Sequence, residues 1–390
     1  MTLPSYATGQ LPDRIRSRLI PRVNGLDMHI LEAGHERPGR PLLVLLHGFP
    51  DLAYGWRFLL PVLAASGYHV VAPDLRGYGR TTGWQDAYDT PLAPFSLLNM
   101  ARDTLALVSA LGYRQAATVI GHDIGSPVSA YCALARPDVF RSVVFLSAPF
   151  PGPPTFPFDT AQLDMSSVIP GAGTNNLAAA LSALRPPRKH YQHYLSSRQA
   201  NVDMSHPPQG LHAFLRAFYH VKSGDWPGND PHVLPGSSAE DFARMPTYYV
   251  MDLEKTMPET VAPFHPSVVE VQACAWLTEA DLGIYVEEFR RTGFQGALQA
   301  YRVLSDPALN DELRLFSGGT VDVPSLFIGG EKDWGTYATP AALELMKTKA
   351  TTCLQGVEMI DGVGHWIQQE QPIRLSELLL DFINDTGRTQ

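Results

Sequence analysis

The chain is predicted to be an α/β protein: a mostly parallel central sheet with helices on both faces, and a helical unit inserted between two strands. Three observations predict this. Apolar runs of strand length alternate with segments of helical periodicity through residues 41–149. The alternation stops near residue 150, where the proline-rich "PFPGPPTFPFD" opens a long aromatic region of helical character reaching about residue 310. It then resumes at 323–330 and 356–362. Strands that alternate with helices are covered on both faces and read as continuous apolar runs, as these do. The expected organisation is a core from residues 1–149 and 311–390 with a lid from residues 150–310.

The elements follow in order. "RLIPRVNGLDMHILEAG" carries two β-like runs around Asn24-Gly25, a hairpin signal that predicts an antiparallel edge. "PLLVLLHG" (41–48) and "YHVVAPD" (68–74) read as buried strands with the helical "GWRFLLPVLAASG" between them. "FSLLNMARDTLALVSALG" (95–112) has helical spacing, "AATVIGHD" (116–123) reads as a strand, "SPVSAYCALARP" as a helix and "SVVFLSAP" (142–149) as the next strand. "VPSLFIGG" (323–330) and "GVEMIDG" (356–362) complete the sheet. Ligands bind at the C-terminal ends of strands in an open sheet, so a helical insertion there is expected to act as a lid.

Composition narrows the function classes. Of 390 residues, 45% are hydrophobic and 18% charged, enough to bury a large core. Thirty basic against thirty-nine acidic residues give a formal charge of −9, and no dense Lys/Arg run exists to neutralise a phosphate backbone, so nucleic acid is not an expected partner. Cys132, Cys274 and Cys353 share no CxxC spacing, which predicts neither a disulfide framework nor a thiolate metal site. The N-terminus lacks a signal-peptide core, and no apolar run is long enough to span a membrane, so a cytoplasmic protein is expected. "KHYQH" (189–193) offers only an i,i+3 histidine pair without a carboxylate partner, and "DLRGYGR" (74–80) lacks the Lys-Ser/Thr of a phosphate loop. Neither a metal nor a cofactor is expected.

The chemistry concentrates at strand ends. Gly121-His122-Asp123-Ile124-Gly125 joins a strand to a helix, the setting of a nucleophile elbow, with small residues two before and two after the central one. Taken alone, the pentapeptide has as its lesser alternative a loop aspartate capping the next helix. Its neighbours favour the elbow. His47-Gly48-Phe49-Pro50 ends a strand where one backbone N–H of an oxyanion hole would come from Phe49, the second coming from Ile124 after the nucleophile. "EKDW" delivers Asp333 and "VEMIDGVGHW" delivers His365 to the same edge, so nucleophile, acid and histidine follow in the order Asp123, Asp333, His365. Glu331 is the rival for the acid.

On "HGFPD", "DLRGYGR", "GHDIG", "EKDW" and "GHWIQQEQP", with "YQHY" (191–194) and "GALQAYR" (296–302) in the lid, the chain resembles the epoxide hydrolase family of the α/β-hydrolase superfamily, closest to the soluble enzymes, over roughly residues 20–385. The resemblance implies that a tyrosine from each lid stretch grips the epoxide oxygen, which here are Tyr191 and Tyr301. Tyr194, three residues on, and Tyr248 or Tyr249 are rivals for the first of these. His47, Pro50, His122 and Gln192 are candidates to contact substrate, as are Tyr194, Trp334 and Trp366. The implied partners are an apolar epoxide and water, with no membrane, and a monomer or homodimer is expected.

The residue types fit that chemistry. A carboxylate suits displacement at a saturated carbon and yields an alkyl ester whose carbonyl belongs to the enzyme, whereas a serine alkoxide suits attack on a carbonyl. Two phenols suit the developing alkoxide. Two departures stand out: Ile124 takes the place of a common tryptophan, and residues 200–245 do not match a compact lid. The aromatic run "FLRAFYHVKSGDW" (214–226) is expected to pack the lid onto the core, with no substrate-facing member assignable. Two rival functions remain: dehalogenation by the same Asp–His–acid machinery, and ligand binding without turnover.

Overall fold

The computed structural model describes Tyr6, residues 9–156 and residues 174–388. The end of the proline-rich stretch and most of the N-terminal lead-in lie outside the described residues.

Ten strands are formed among the described residues: β1 (Arg16–Val23), β2 (Leu26–Ala33), β3 (Leu42–Leu46), β4 (His69–Pro73), β5 (Thr118–His122), β6 (Val143–Leu146), β7 (Arg188–His190), β8 (Val250–Asp252), β9 (Ser325–Gly330) and β10 (Leu354–Ile360). Eight of them make one sheet in the order β1-β2-β4-β3-β5-β6-β9-β10. The β1–β2 and β2–β4 pairings are antiparallel; every other pairing in the sheet is parallel. The hairpin turns at Asn24-Gly25, with both residues at positive φ (48° and 83°), as a tight hairpin turn requires. Strands β3, β4, β5 and β6 are buried at every position, which explains their unbroken apolar sequences. The helices Leu59–Ala65, Leu97–Ala110 and Gly125–Ala135 connect them. No helix among the described residues is long and apolar enough to cross a membrane.

Because β3, β5, β6, β9 and β10 run parallel, their C-terminal ends share one edge, followed in turn by His47, Asp123, Ser147, Glu331 and Asp361. Between β6 and β9 lies the insertion. It is mostly helical, but the sequence reading missed its two-stranded antiparallel piece, β7 with β8. Three-residue strands bury too little surface to leave a readable alternation.

The insertion is riveted to the core through buried polar contacts. Arg57 Nη2 donates to Trp276 O at 2.7 Å, and its Nε lies 3.0 Å from Asp281 Oδ1. The Tyr285 hydroxyl donates to Asp51 Oδ1 at 2.8 Å and Tyr219 to Pro50 O at 2.5 Å. Arg80 Nε pairs with Glu288 at 2.7 Å. At the tightest approach Gly77, from "DLRGYGR", faces Gly296, from "GALQAYR": a Cβ on either would collide with the other's backbone. Two quoted motifs thus meet where neither tolerates a side chain, and the helix Gln295–Leu304 that carries Tyr301 is seated by that contact.

Candidate active site

Asp123 sits at the turn between β5 and the helix Gly125–Ala135 with φ 52°, a left-handed conformation uncommon for a residue with a side chain and typical of functional turns. A Cβ on Gly121 would run into the Gly125 carbonyl, and one on Gly125 into the Leu46 carbonyl, which is why both flanking positions are glycine. The Asp123 side chain is 19% exposed, while those of His365 and Asp333 are each 2% exposed. Asp123 is therefore the open one of the three. Phe49 N–H donates to Asp123 Oδ1 at 2.9 Å. Ile124 N–H belongs to the start of the following helix, where the first N–H groups lack intrahelical acceptors.

His365 Nε2 lies 3.5 Å from Asp123 Oδ2, longer than a good hydrogen bond, and has no hydrogen-bond partner among the described residues. Its Nδ1 is 3.1 Å from Asp333 Oδ1 and 3.0 Å from Ser147 Oγ. Since a carboxylate only accepts, the proton is assigned to Nδ1, leaving Nε2 directed at Asp123. Asp333 Oδ1 also accepts from Gly335 N–H at 2.7 Å, which fixes the acid. Glu331 instead accepts from Gly362 N–H at 3.0 Å and is exposed, so it does not reach the histidine.

Burial alone would raise the Asp123 carboxyl, but the close approach and charge of His365, with the charge of Lys222 behind, outweigh it and hold it below the usual carboxylate range. Asp333 is likewise held low against burial, chiefly by His365. Burial and Lys222 push His365 down, yet Asp333 and Asp123 outweigh them and leave it above the ordinary imidazole value.

From the insertion, three tyrosines form a row over this edge. The Tyr301 ring lies 5.3 Å from Phe49 and 6.1 Å from Tyr191, and Tyr191 lies 5.0 Å from Tyr249. The Tyr301 hydroxyl has no partner among the described residues, and that of Tyr191 meets only Gln192 Nε2 at 3.3 Å. Burial, then the Asp123 charge, raises both phenols above their ordinary value.

Several expected contacts need correction. Tyr194 turns away: its hydroxyl donates to Asp203 at 3.0 Å, so it is not a rival to Tyr191. Tyr248 donates to Asn229 at 2.5 Å and is likewise spent. His47 is fully buried, its Nδ1 2.9 Å from Gly48 O and its Nε2 accepting Leu75 N–H at 3.0 Å. His122 is fully buried between His365 O (2.8 Å) and Gln368 (3.3 Å), and burial lowers it to about 3. Trp366 is 0% exposed and donates to Tyr219 O. These three brace the loops that carry Phe49, Asp123 and His365; none offers a free polar atom to a ligand. Pro50 uses its carbonyl on Tyr219, Gln192 lies beside the Tyr191 hydroxyl, and buried Trp334 packs on the His232 ring at 5.0 Å.

Two residues were missed. Ser147 follows β6 directly at φ 70°, and a serine closing an apolar strand run was its only signal. Lys222 ends the helix Leu211–Lys222 four residues after Phe218 and seven after Leu215, so a lysine on that helix's apolar stripe was legible but unused. Among the described residues, no group of three or more His, Cys, Asp or Glu side chains could hold a metal ion.

Fold and site together define an α/β-hydrolase with an aspartate at the elbow, and the model of the alpha/beta hydrolase fold matches residues 41–188. The chain is 33% identical over 357 residues to epoxide hydrolase B of Mycobacterium tuberculosis, covering 88% of this chain and 91% of that one. It is 30% identical to epoxide hydrolase 3 of Siraitia grosvenorii, covering 93% and 96%. An epoxide hydrolase from an endophytic Streptomyces superposes with a TM-score of 0.75 at 30% identity over 97% of each chain. The chain belongs to the epoxide hydrolase family.

Proposed function

We propose that this protein hydrolyses an epoxide to a vicinal diol through an ester on Asp123. Asp123 Oδ2 attacks a ring carbon, the carbon–oxygen bond breaks, and the leaving alkoxide takes a proton from Tyr191 or Tyr301. The product of this step is a hydroxyalkyl ester. His365 then removes a proton from water, the hydroxide adds to the Asp123 carbonyl carbon, and Phe49 and Ile124 N–H groups hold the oxyanion. Cleavage of the ester bond leaves Asp123 as a carboxylic acid whose proton goes to the departing alkoxide, which releases the diol and regenerates the carboxylate with one solvent oxygen; the proton held by His365 returns to the tyrosinate.

The observation that carries the reading is the Asp123 carboxylate itself. One oxygen accepts Phe49 N–H, the other faces His365 Nε2, and the Tyr301 ring packs on Phe49 beside them. Charge changes also order the steps. At rest the Asp123 charge favours the protonated form of His365; esterification removes that charge and shifts the imidazole toward its neutral form, the one that acts as a base. Dehalogenation would leave the phenols without a role, since a halide needs no proton to depart.

A panel of epoxides, followed by a single turnover in heavy-oxygen water, tests this. The first turnover should place solvent oxygen in Asp123 and ordinary oxygen in the diol; label entering the diol at once would mean direct attack by water. Halide release without diol formation would favour the dehalogenase reading.

A further inference from the structure

Glu370 takes no part in the chemistry above, yet its carboxylate accepts backbone N–H groups from two separate parts of the chain. Oε1 takes Trp366 N–H at 2.9 Å, while Oε2 takes Gly364 N–H at 2.9 Å and Gly224 N–H at 2.8 Å. Two of these donors flank His365, and the third belongs to the insertion. His365 itself donates its N–H to Lys222 O at 2.8 Å, and its carbonyl accepts from His122 Nε2 at 2.8 Å. The peptide that carries the base lies between β10 and the helix Ile367–Glu370, where no ladder satisfies its backbone, so these contacts take that place. The two loops also touch directly. A Cβ on Gly364 would strike the Ser223 and Gly224 backbone, and one on Gly224 would strike the Gly362 carbonyl.

We infer that Glu370 is a positioning residue, whose carboxylate holds His365 toward Asp123 and makes that placement depend on the seating of the insertion. This rests on the hydrolase reading above, in which His365 acts on the ester. The acceptor's chemistry is specific. A carboxylate offers only acceptor sites, about four, and so can serve three donors at once. A glutamine of equal length would turn its NH₂ group on one of them, and an aspartate falls a methylene short. Burial lifts the Glu370 carboxyl to about 7, against the three N–H bonds that favour its charged form. His365 Nε2 already stands 3.5 Å from Asp123 Oδ2, so a small shift of the loop carries the base away from the ester carbonyl. Ring opening uses Asp123 and the phenols, and Glu370 bonds to none of them. Loss of the clamp should fall on the second step.

Single turnovers of an epoxide that the panel shows to be hydrolysed, run well above pH 7 so that the Glu370 carboxyl is charged, supply the test. In Glu370→Gln the rate of ester hydrolysis divided by the rate of alkylation should fall at least about tenfold, so that substrate accumulates on Asp123 and is seen by mass spectrometry. A smaller fall overturns the inference, since a merely structural defect slows both steps together. Should Glu370→Gln not fold, Glu370→Asp keeps the charge on a shorter stem and is held to the same criterion. The unsubstituted protein gives an independent reading by amide hydrogen exchange. Gly224, Gly364 and Trp366 share one acceptor and should open together, with protection factors within about tenfold of one another. A wider spread overturns the clamp. Absence of diol from every epoxide overturns the hydrolase reading instead, and amide exchange then still confirms or refutes the link between the two loops.

Discussion

The sheet edge and the helical insertion face the same space but are built in opposite ways. At the edge, Asp123, Asp333 and His365 are fixed by short contacts to backbone N–H groups and to one another, with two of the three nearly inaccessible. On the insertion, the Tyr301 hydroxyl has no hydrogen-bond partner among the described residues, and Lys222 Nζ lies 5.0 Å from the centre of the Tyr249 ring. A nucleophile and its base must be held in place before substrate arrives, because misplacement is expensive in rate. Groups that would receive the substrate's oxygen in the proposed reaction must instead be left uncommitted, since their partner is the substrate. In the proposed reaction the unpaired Tyr301 hydroxyl is thus the complement of the paired Asp123, Asp333 and His365 below.

Substitutions should separate the two halves. His365→Gln carries the largest effect: ester formation should persist while its hydrolysis slows on the order of 10⁴-fold. Mass spectrometry should then find substrate attached to Asp123, and an unmodified protein after prolonged incubation would place the defect before alkylation. Tyr301→Phe should do the reverse, slowing ring opening about 10²-fold. Because that hydroxyl leaves no protein partner unsatisfied, stability should move by less than about 0.5 kcal/mol, measured by thermal unfolding. If Tyr301→Phe lowered stability strongly and left single-turnover alkylation unchanged, the division of labour would fail.

The charge logic can be sharpened separately. Asp123→Asn resembles the esterified state, in that the side chain at 123 loses its negative charge. His365 is held above its ordinary value by Asp333 and Asp123 against burial and Lys222, so removing one of the two supports should lower its titration midpoint. Proton-detected titration of the His365 ring in both proteins checks the direction. Since hydrolysis of the ester needs the neutral imidazole, its rate in the native protein should rise with pH and then level off, with a midpoint below that of the resting protein. A midpoint equal to or above the resting value contradicts the role given to Asp123.

The same contrast explains what the sequence revealed. The sheet edge was legible because its constraints are local: a strand of continuous apolar residues, a turn that needs glycine on both sides of Asp123, and acid and histidine placed directly after later strands. The insertion was legible only in part. Its tyrosines came from resemblance, since helical spacing does not distinguish a phenol pointing at a site from Tyr194, whose hydroxyl is spent on Asp203. His47, His122 and Trp366 misled for a related reason. They adjoin reactive positions in sequence, but their polar atoms are consumed in bracing backbone, a role that only three-dimensional contacts reveal.

The smallest expected effect lies in the histidine's second contact at the sheet edge. Ser147 Oγ and Asp333 Oδ1 stand at 3.0 and 3.1 Å from His365 Nδ1, so the serine shares an interaction that the carboxylate can sustain alone. Ser147→Ala removes a neutral contact worth about 1 kcal/mol and should slow ester hydrolysis less than about tenfold without affecting alkylation. Asp333→Asn removes the charge that fixes the ring's tautomer and should cost on the order of 10³-fold or more in the same step. If the two variants were equally impaired in single-turnover hydrolysis, the histidine would be held by a joint network in which neither partner suffices. The rigidity assigned to the sheet edge would then belong to the Ser147 turn as much as to Asp333.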